Sequence, residues 1–191
     1  MNILQKLQRL FIKNDIDNSV NKDECIDEYG VMYSADKKKL IKGTYGLNEY
    51  RIIEGCEIIG NFAFRLSEGL TNIVIPNSVI SIEKGAFYLC TCLTSIVIPN
   101  SVTSIEDRTF VRCRTLEKVT IGNSVASIGE LAFSHTIIKE VHSISQTPPQ
   151  IGKNCFGDPY QFRMNNCKLY VPKGSKEAYK KAWGFENIIE E

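Results

Sequence analysis

Seven cysteines and two histidines are the side chains of this 191-residue sequence that could carry nucleophilic or metal chemistry. An odd number of thiols cannot all pair within one chain, and no spacing supplies the two short Cys-x-x-Cys clips of a structural zinc site. Cys90, Cys92 and Cys113 make a poor metal set, because Cys90 and Cys113 lie 23 residues apart, in the same position of a repeat, and read as core. Reduced, mostly buried thiols are the expected state, since free cysteine packs as a small hydrophobe. His135 and His142 sit in no nucleophile motif. A Cys–His pair can still meet in space, but no local signature points to one, and the expectation is no enzyme, no cofactor and no metal. Asp15, Asp17 and Ser19 follow the opening of a calcium loop, yet Val20 stands at the sharp-turn glycine and Ile26 at the twelfth place, where a glutamate is needed.

The elements that must position these residues recur at a fixed interval. Phe64, Phe87, Phe110, Phe133 and Phe156 are spaced by 23 residues, as are Ile59, Ile82, Ile105, Ile128 and Ile151. Leu47, Leu70, Leu93 and Leu116 share the period, and so do Ile52, Ile75, Ile98 and Ile121. Several columns agreeing on one period mark stacked coils, none of which can bury its own apolar edge. Within Leu93–Thr115, the alternation of Leu93, Ile96 and Ile98 with polar residues reads as a half-buried strand that ends at Pro99 and Asn100. Proline has no N–H for a neighbouring ladder, which fits the end of a strand. Asn77, Asn100 and Asn123 follow in register, either as ordinary turn residues or stacked between coils. Val102, Ile105 and Phe110 then point inward, after a small column of Ala63, Ala86, Thr109 and Ala132. A short helix or 3₁₀ turn is expected to return the chain to the next strand. The fifth unit keeps the Phe133–Phe156 interval while its strand arrives one residue early, Val141 aligning with Val119 at an offset of 22.

The ends differ from the coils, as an end cap requires. Residues 1–28 read as an amphipathic helix over the first 13 residues, with Ile3, Leu4, Leu7, Leu10 and Phe11 on one side, followed by a polar linker; residues 29–191 read as the repeat domain with its caps. Tyr29–Gly43 predicts a hairpin turning at Ser34–Lys37 and pairing with the first coil. Near the C-terminus, Ser175 predicts the cap of a short helix whose Ala178, Tyr179, Ala182 and Trp183 face the last coil. Trp183 reads as an anchor there. Gly157–Asn165 interrupts the array before a last strand at Lys168–Pro172.

Lysine and arginine total 23 against 22 acidic residues, so no net field would draw nucleic acid or an anionic membrane. No apolar run spans a bilayer, and Gln5, Lys6, Gln8, Arg9 and Lys13 break up the core that a signal peptide would need. A protein ligand is the expected partner. Its surface would be the outward side of the strands, where two columns are free of packing duty: Glu49, Asn72, Ser95, Lys118 and Glu140, and beside them Arg51, Val74, Val97, Thr120 and His142. Val74 and Val97 form a small apolar patch there, although β-branched residues also favour strands in their own right.

The unit L-x-x-I-x-I-P-x-S-V-x-S-I-x-x-x-A-F-x-x-C-x-x, carried by Leu70–Cys92 and Leu93–Thr115, resembles the BspA-like class of leucine-rich repeats. The hairpin GVMYSADKKKLIKG and the ending LYVPKGSKEAYKKAWGFENI resemble the terminal sections of bacterial members. The resemblance implies an α/β leucine-rich-repeat solenoid of about five coils, each a strand plus a short helical return, capped at both ends. It also implies a cell-surface or secreted protein acting in adhesion or recognition; the interrupted apolar stretch at the start and the odd cysteine count leave an intracellular interaction or structural scaffold as the alternative.

Overall fold

The computed structural model describes residues 23–157 and 167–191. The amphipathic helix of residues 1–13, the calcium-loop spacing at 15–19 and the stretch 158–166 lie outside the described residues. The chain opens with an antiparallel cap of β1 (Glu24–Ile26), β2 (Met32–Ser34) and β3 (Lys39–Lys42). The expected hairpin is therefore present, turning through Ser34–Lys37, and the segment read as a polar linker contributes β1. Each coil then lays down two parallel strands. The longer ones are β4 (Glu49–Arg51), β6 (Asn72–Val74), β8 (Ser95–Ile98), β10 (Lys118–Ile121), β12 (Glu140–Ser143) and β14 (Lys168–Val171). The shorter ones are β5 (Ile58–Ile59), β7 (Ser81–Ile82), β9 (Ser104–Ile105), β11 (Ser127–Ile128) and β13 (Gln150–Ile151). The short strands continue from β3 into one sheet, in the order β1-β2-β3-β5-β7-β9-β11-β13. After β14, helix α1 (Lys176–Trp183) and β15 (Ile188–Glu190) close the other end. The molecule is a solenoid of about six turns with little helix.

Its interior is the repeat read in cross-section. The five column phenylalanines stack ring on ring, with centroids 5.4, 5.1, 5.2 and 5.5 Å apart and planes within 10° of parallel. That spacing is close to the separation of neighbouring strands, so each ring follows its own coil without a change of rotamer. Ile59, Ile82, Ile105 and Ile128 are buried beside them, as is the small column. Thr109, the polar member of that column, donates its hydroxyl to the Glu106 carbonyl at 2.6 Å. The slipped fifth unit pairs as its sequence indicated, with Val119 opposite Val141. Of the turn asparagines, Asn100 accepts the backbone N–H of Asn123 through Oδ1 at 3.0 Å, a single stacked link.

The return segment is a staircase of reverse turns instead of a helix. Ala86, Tyr88 and Cys90 donate N–H to carbonyls three residues back, at Glu83, Gly85 and Phe87, while Gly85, Phe87 and Leu89 donate to Asp107, Thr109 and Val111 of the next coil. A helix would point every N–H along its own axis and leave nothing to bind the stacked neighbour, so alternation satisfies backbone groups that stacking buries. The turns require left-handed residues, which fall in two register columns: Phe62, Gly85, Arg108, Leu131 and Asn154, and Leu66, Leu89, Arg112 and His135.

At the C-terminal end, Tyr179 and Trp183 are buried on one side of α1, and the Trp183 indole donates to the Pro149 carbonyl at 2.8 Å. Ala178 and Ala182 are exposed, contrary to the sequence reading. Each precedes its aromatic neighbour by one residue, about 100° around the helix, and rings as large as those of Tyr179 and Trp183 fill the contact alone. Ser175 occupies the N-cap but makes no side-chain cap; its hydroxyl donates to the Pro172 carbonyl at 2.6 Å. The Glu190 carboxylate of β15 accepts the Gly174 and Lys176 N–H groups in its place, at 2.9 and 3.1 Å.

Candidate protein-binding face

The longer strands place the ten outward residues in rows. Glu49 pairs with Asn72 and Arg51 with Val74 across β4 and β6. Ser95, Lys118 and Glu140 align across β8, β10 and β12, as do Val97, Thr120 and His142. Ladder bonds divide the rows into a two-stranded sheet, β4-β6, and a five-stranded sheet, β15-β14-β12-β10-β8. The seam falls between the two valines. Val97 is 61% exposed, whereas Val74 is half-buried, so the apolar patch is centred on β8.

Beyond His142 both rows continue onto residues outside the sequence-derived set. Lys168 lies opposite Glu140, Tyr170 opposite His142, and Ile189 opposite Tyr170. The last strand expected at Lys168–Pro172 is present as β14, but the interruption after Phe156 breaks the 23-residue register, so the outward columns stopped at β12; the alternation in KLYVP was the signal that could have added Tyr170. The imidazole of His142 stacks on the Tyr170 ring at 4.2 Å and 4°. Its Nε2 lies 3.5 Å from Glu140 Oε2, and its Nδ1 lies 3.8 Å from Glu191 Oε2. Lys118 Nζ sits 3.3 Å from the same Glu140 oxygen. Hydrogen bonding from Lys118 and then from His142 holds the Glu140 carboxyl below its ordinary range. The face thus runs from an apolar centre at Val97 to a charged and aromatic end at His142 and Tyr170.

Most of the groups that could do chemistry are buried or backbone-bonded. Cys90 Sγ donates to the Phe64 carbonyl and Cys113 Sγ to the Phe87 carbonyl, each at 3.1 Å. The thiol of Cys90 is pushed well up, first by the neighbouring Cys113 thiol and then by burial. Burial raises Cys155 and Cys56, and lifts Cys167 to about 12. Thiols in that state are protonated at neutral pH and make poor nucleophiles. His135 is exposed, and its Nδ1 lies 2.8 Å from Ser134 Oγ, but Ser134 is only 2% exposed and offers no approach to a substrate. Among the described residues no group of three or more His, Cys, Asp or Glu is placed to hold a metal ion. No described helix is long and apolar enough to cross a membrane.

Two series of stacked parallel strands and a staircase of turns wound at a fixed period define a repeat-solenoid protein. Residues 37–163, well over half of the chain, match the family model described as BspA type Leucine rich repeat region (6 copies), and the chain belongs to that family. Among solved structures it is similar to a leucine-rich repeat protein from Eubacterium ventriosum, at 22% identity and a TM-score of 0.65, covering 81% of this chain and 40% of that one. It is also similar to the pneumococcal vaccine antigen PcpA, at 21% identity and a TM-score of 0.60, covering 90% and 48%. A leucine rich cell surface protein from Faecalibacterium prausnitzii is 29% identical, with a TM-score of 0.55, covering 73% and 34%. The chain spans less than half the length of each of these structures. No curated protein matches it.

Proposed function

We propose that this chain is a non-catalytic scaffold that binds a protein ligand on its strand face, in cell-surface adhesion or recognition. The observation that carries the reading is the pair of outward rows, which point away from the core and surround an exposed Val97. An apolar centre with a charged margin is the usual layout of a recognition surface. The surface setting is supported by the Faecalibacterium prausnitzii protein, described as a cell surface protein. A photoreactive residue replacing Val97 should capture a discrete partner that the same residue at Ala126, on the short-strand side, does not. With that partner in hand, Val74→Lys combined with Val97→Lys should leave folding intact and weaken binding at least tenfold, because docking would bury unpaired ammonium groups. Unchanged affinity in a folded double variant refutes the strand-face reading.

An intracellular interaction scaffold is the second reading, favoured by the thiol-to-carbonyl hydrogen bonds of Cys90 and Cys113, which require reduced sulfur. Mass spectrometry after alkylation during cell lysis separates the two: full alkylation of both residues supports the interior, and a Cys90–Cys113 bridge supports an oxidising compartment.

A further inference from the structure

We infer that the turn side of the solenoid carries a second docking surface, built on Arg108, Arg112 and Arg114, for an aspartate- and glutamate-rich segment of a protein partner. The observation is a concentration of guanidinium groups that no carboxylate pairs. Lys38, Lys39, Lys118, Lys139 and Lys180 are each paired with a glutamate. Among the described residues, no arginine is paired with any carboxylate. Arg108, Arg112 and Arg114 are exposed within a single coil, and Arg65 on the same side lies 6.0 Å from the ring centres of Phe62 and Tyr88.

The neighbouring acids form no ion pair with these arginines, because their carboxylates are turned to backbone N–H groups. Glu106 accepts the Lys84 N–H at 2.9 Å, and Asp107 accepts the Glu130 N–H at 2.7 Å. Arg108 and Arg112 themselves stand at left-handed turn residues, with φ of 57° and 61°, so the staircase fixes where each side chain starts. In register with them are Leu89, Leu131 and His135 from the flanking coils, and Ile137, two residues beyond His135, is 50% exposed.

This mixture selects among anionic partners. Guanidinium groups pair with carboxylates through two parallel hydrogen bonds, and arginine is enriched where proteins meet. The interspersed leucine and isoleucine give a peptide's apolar side chains something to cover, which a sulfated glycan or a nucleic-acid backbone would leave wet. With a net charge of only +1, no long-range field gathers a polyanion, so recognition must come from contact.

The test is fluorescence anisotropy with labelled poly-L-glutamate at physiological ionic strength, on variants checked for an unchanged thermal midpoint. Replacing all three arginines by glutamine should weaken binding at least tenfold. Replacing all three by lysine, which keeps the charge and loses the fork, should weaken it at least about threefold. Val74→Ser with Val97→Ser should leave it within about twofold, so failure of the strand-face reading and failure of this one appear in different variants. Binding that survives the glutamine triple, or is fully kept by the lysine triple, overturns the proposal. So does tighter binding of a sulfated glycan or single-stranded DNA of equal charge.

Discussion

Phe110 shows how much one side chain carries in a stacked array. It is fully buried, with a parallel ring 5.1 Å away on one side and 5.2 Å away on the other. Phe110→Ala should cost about 3 to 5 kcal/mol in denaturant unfolding, the range for emptying a buried aromatic site; a loss under about 1 kcal/mol would mean the column is not the core. Lys37 makes the opposite case. It closes the cap hairpin through a bond from its N–H to the Ser34 carbonyl, at a φ of 60°. A left-handed residue with a Cβ costs about 1 to 2 kcal/mol, and the extra chain entropy of glycine about 0.5 to 1. Lys37→Gly should therefore stabilise by roughly 0.5 to 1 kcal/mol, a gain visible as a higher thermal midpoint. Glu140 has a folded-state carboxyl lowered by Lys118 and His142, so its contribution is present above the pH at which a free glutamate ionises and is lost as pH falls through the lowered folded value. Lys118→Met should move the Glu140 carboxyl titration upward by NMR, and an unmoved titration would show that the contact does not form in solution. Phe110 was legible from its 23-residue column. The strained backbone of Lys37 was not, since lysine advertises no positive φ.

Whole elements were readable where one residue type carries one job and obscure where a distant element takes over that job. Proline at the strand end and the alternation of Ile96 and Ile98 marked β8, because both follow from how a ladder is made. The N-cap of α1 falls at Ser175 as expected, but its side chain does not do the capping, because the Glu190 carboxylate, 15 residues further along, carries the better charge and accepts the neighbouring N–H groups. Glu190→Ala should then cost about 1 kcal/mol, within the range for losing a helix cap, and should expose the α1 amides to exchange; protected amides in that variant would return the role to Ser175. At the other end, Asp27 Oδ1 accepts the Tyr29 and Val31 N–H groups, while its Oδ2 accepts the Tyr50 hydroxyl, which is 2.6 Å from the Tyr33 hydroxyl. Burial foremost pushes Tyr33 up to about 12 and raises Tyr50 further. Both folded values lie above those of a free tyrosine, so the contribution of these two hydroxyls is fully present below pH about 10 and is lost as pH rises toward the raised values. No sequence column announces that chain, because its members come from three different elements.

At the scale of the molecule, a solenoid touches only its nearest neighbours, so where a defect falls decides what it does. Trp183 and Phe110 are both large buried aromatics, and by area alone their loss should look alike. Trp183, however, lies on α1, tilted 49° over Phe156, the last ring of the stack, and tied to Pro149. Trp183→Ala uncovers one end, and the cheapest response is for β13, β14 and α1 to open while the coils of Phe64, Phe87 and Phe110 stay closed. Phe110→Ala removes a ring with a full coil on either side, and no subset of coils can open to relieve it without breaking the column in two. Hydrogen exchange should show the difference: in Trp183→Ala, protection falls at the Gly152 and Lys168 amides, which bond back to Ile128 and Lys139, and holds at the Phe87 amide, which bonds to Thr109. In Phe110→Ala all three should fall together. Equal loss at all three amides in Trp183→Ala would mean that the array unfolds as one unit, and that the 23-residue period describes its geometry without dividing its cooperativity.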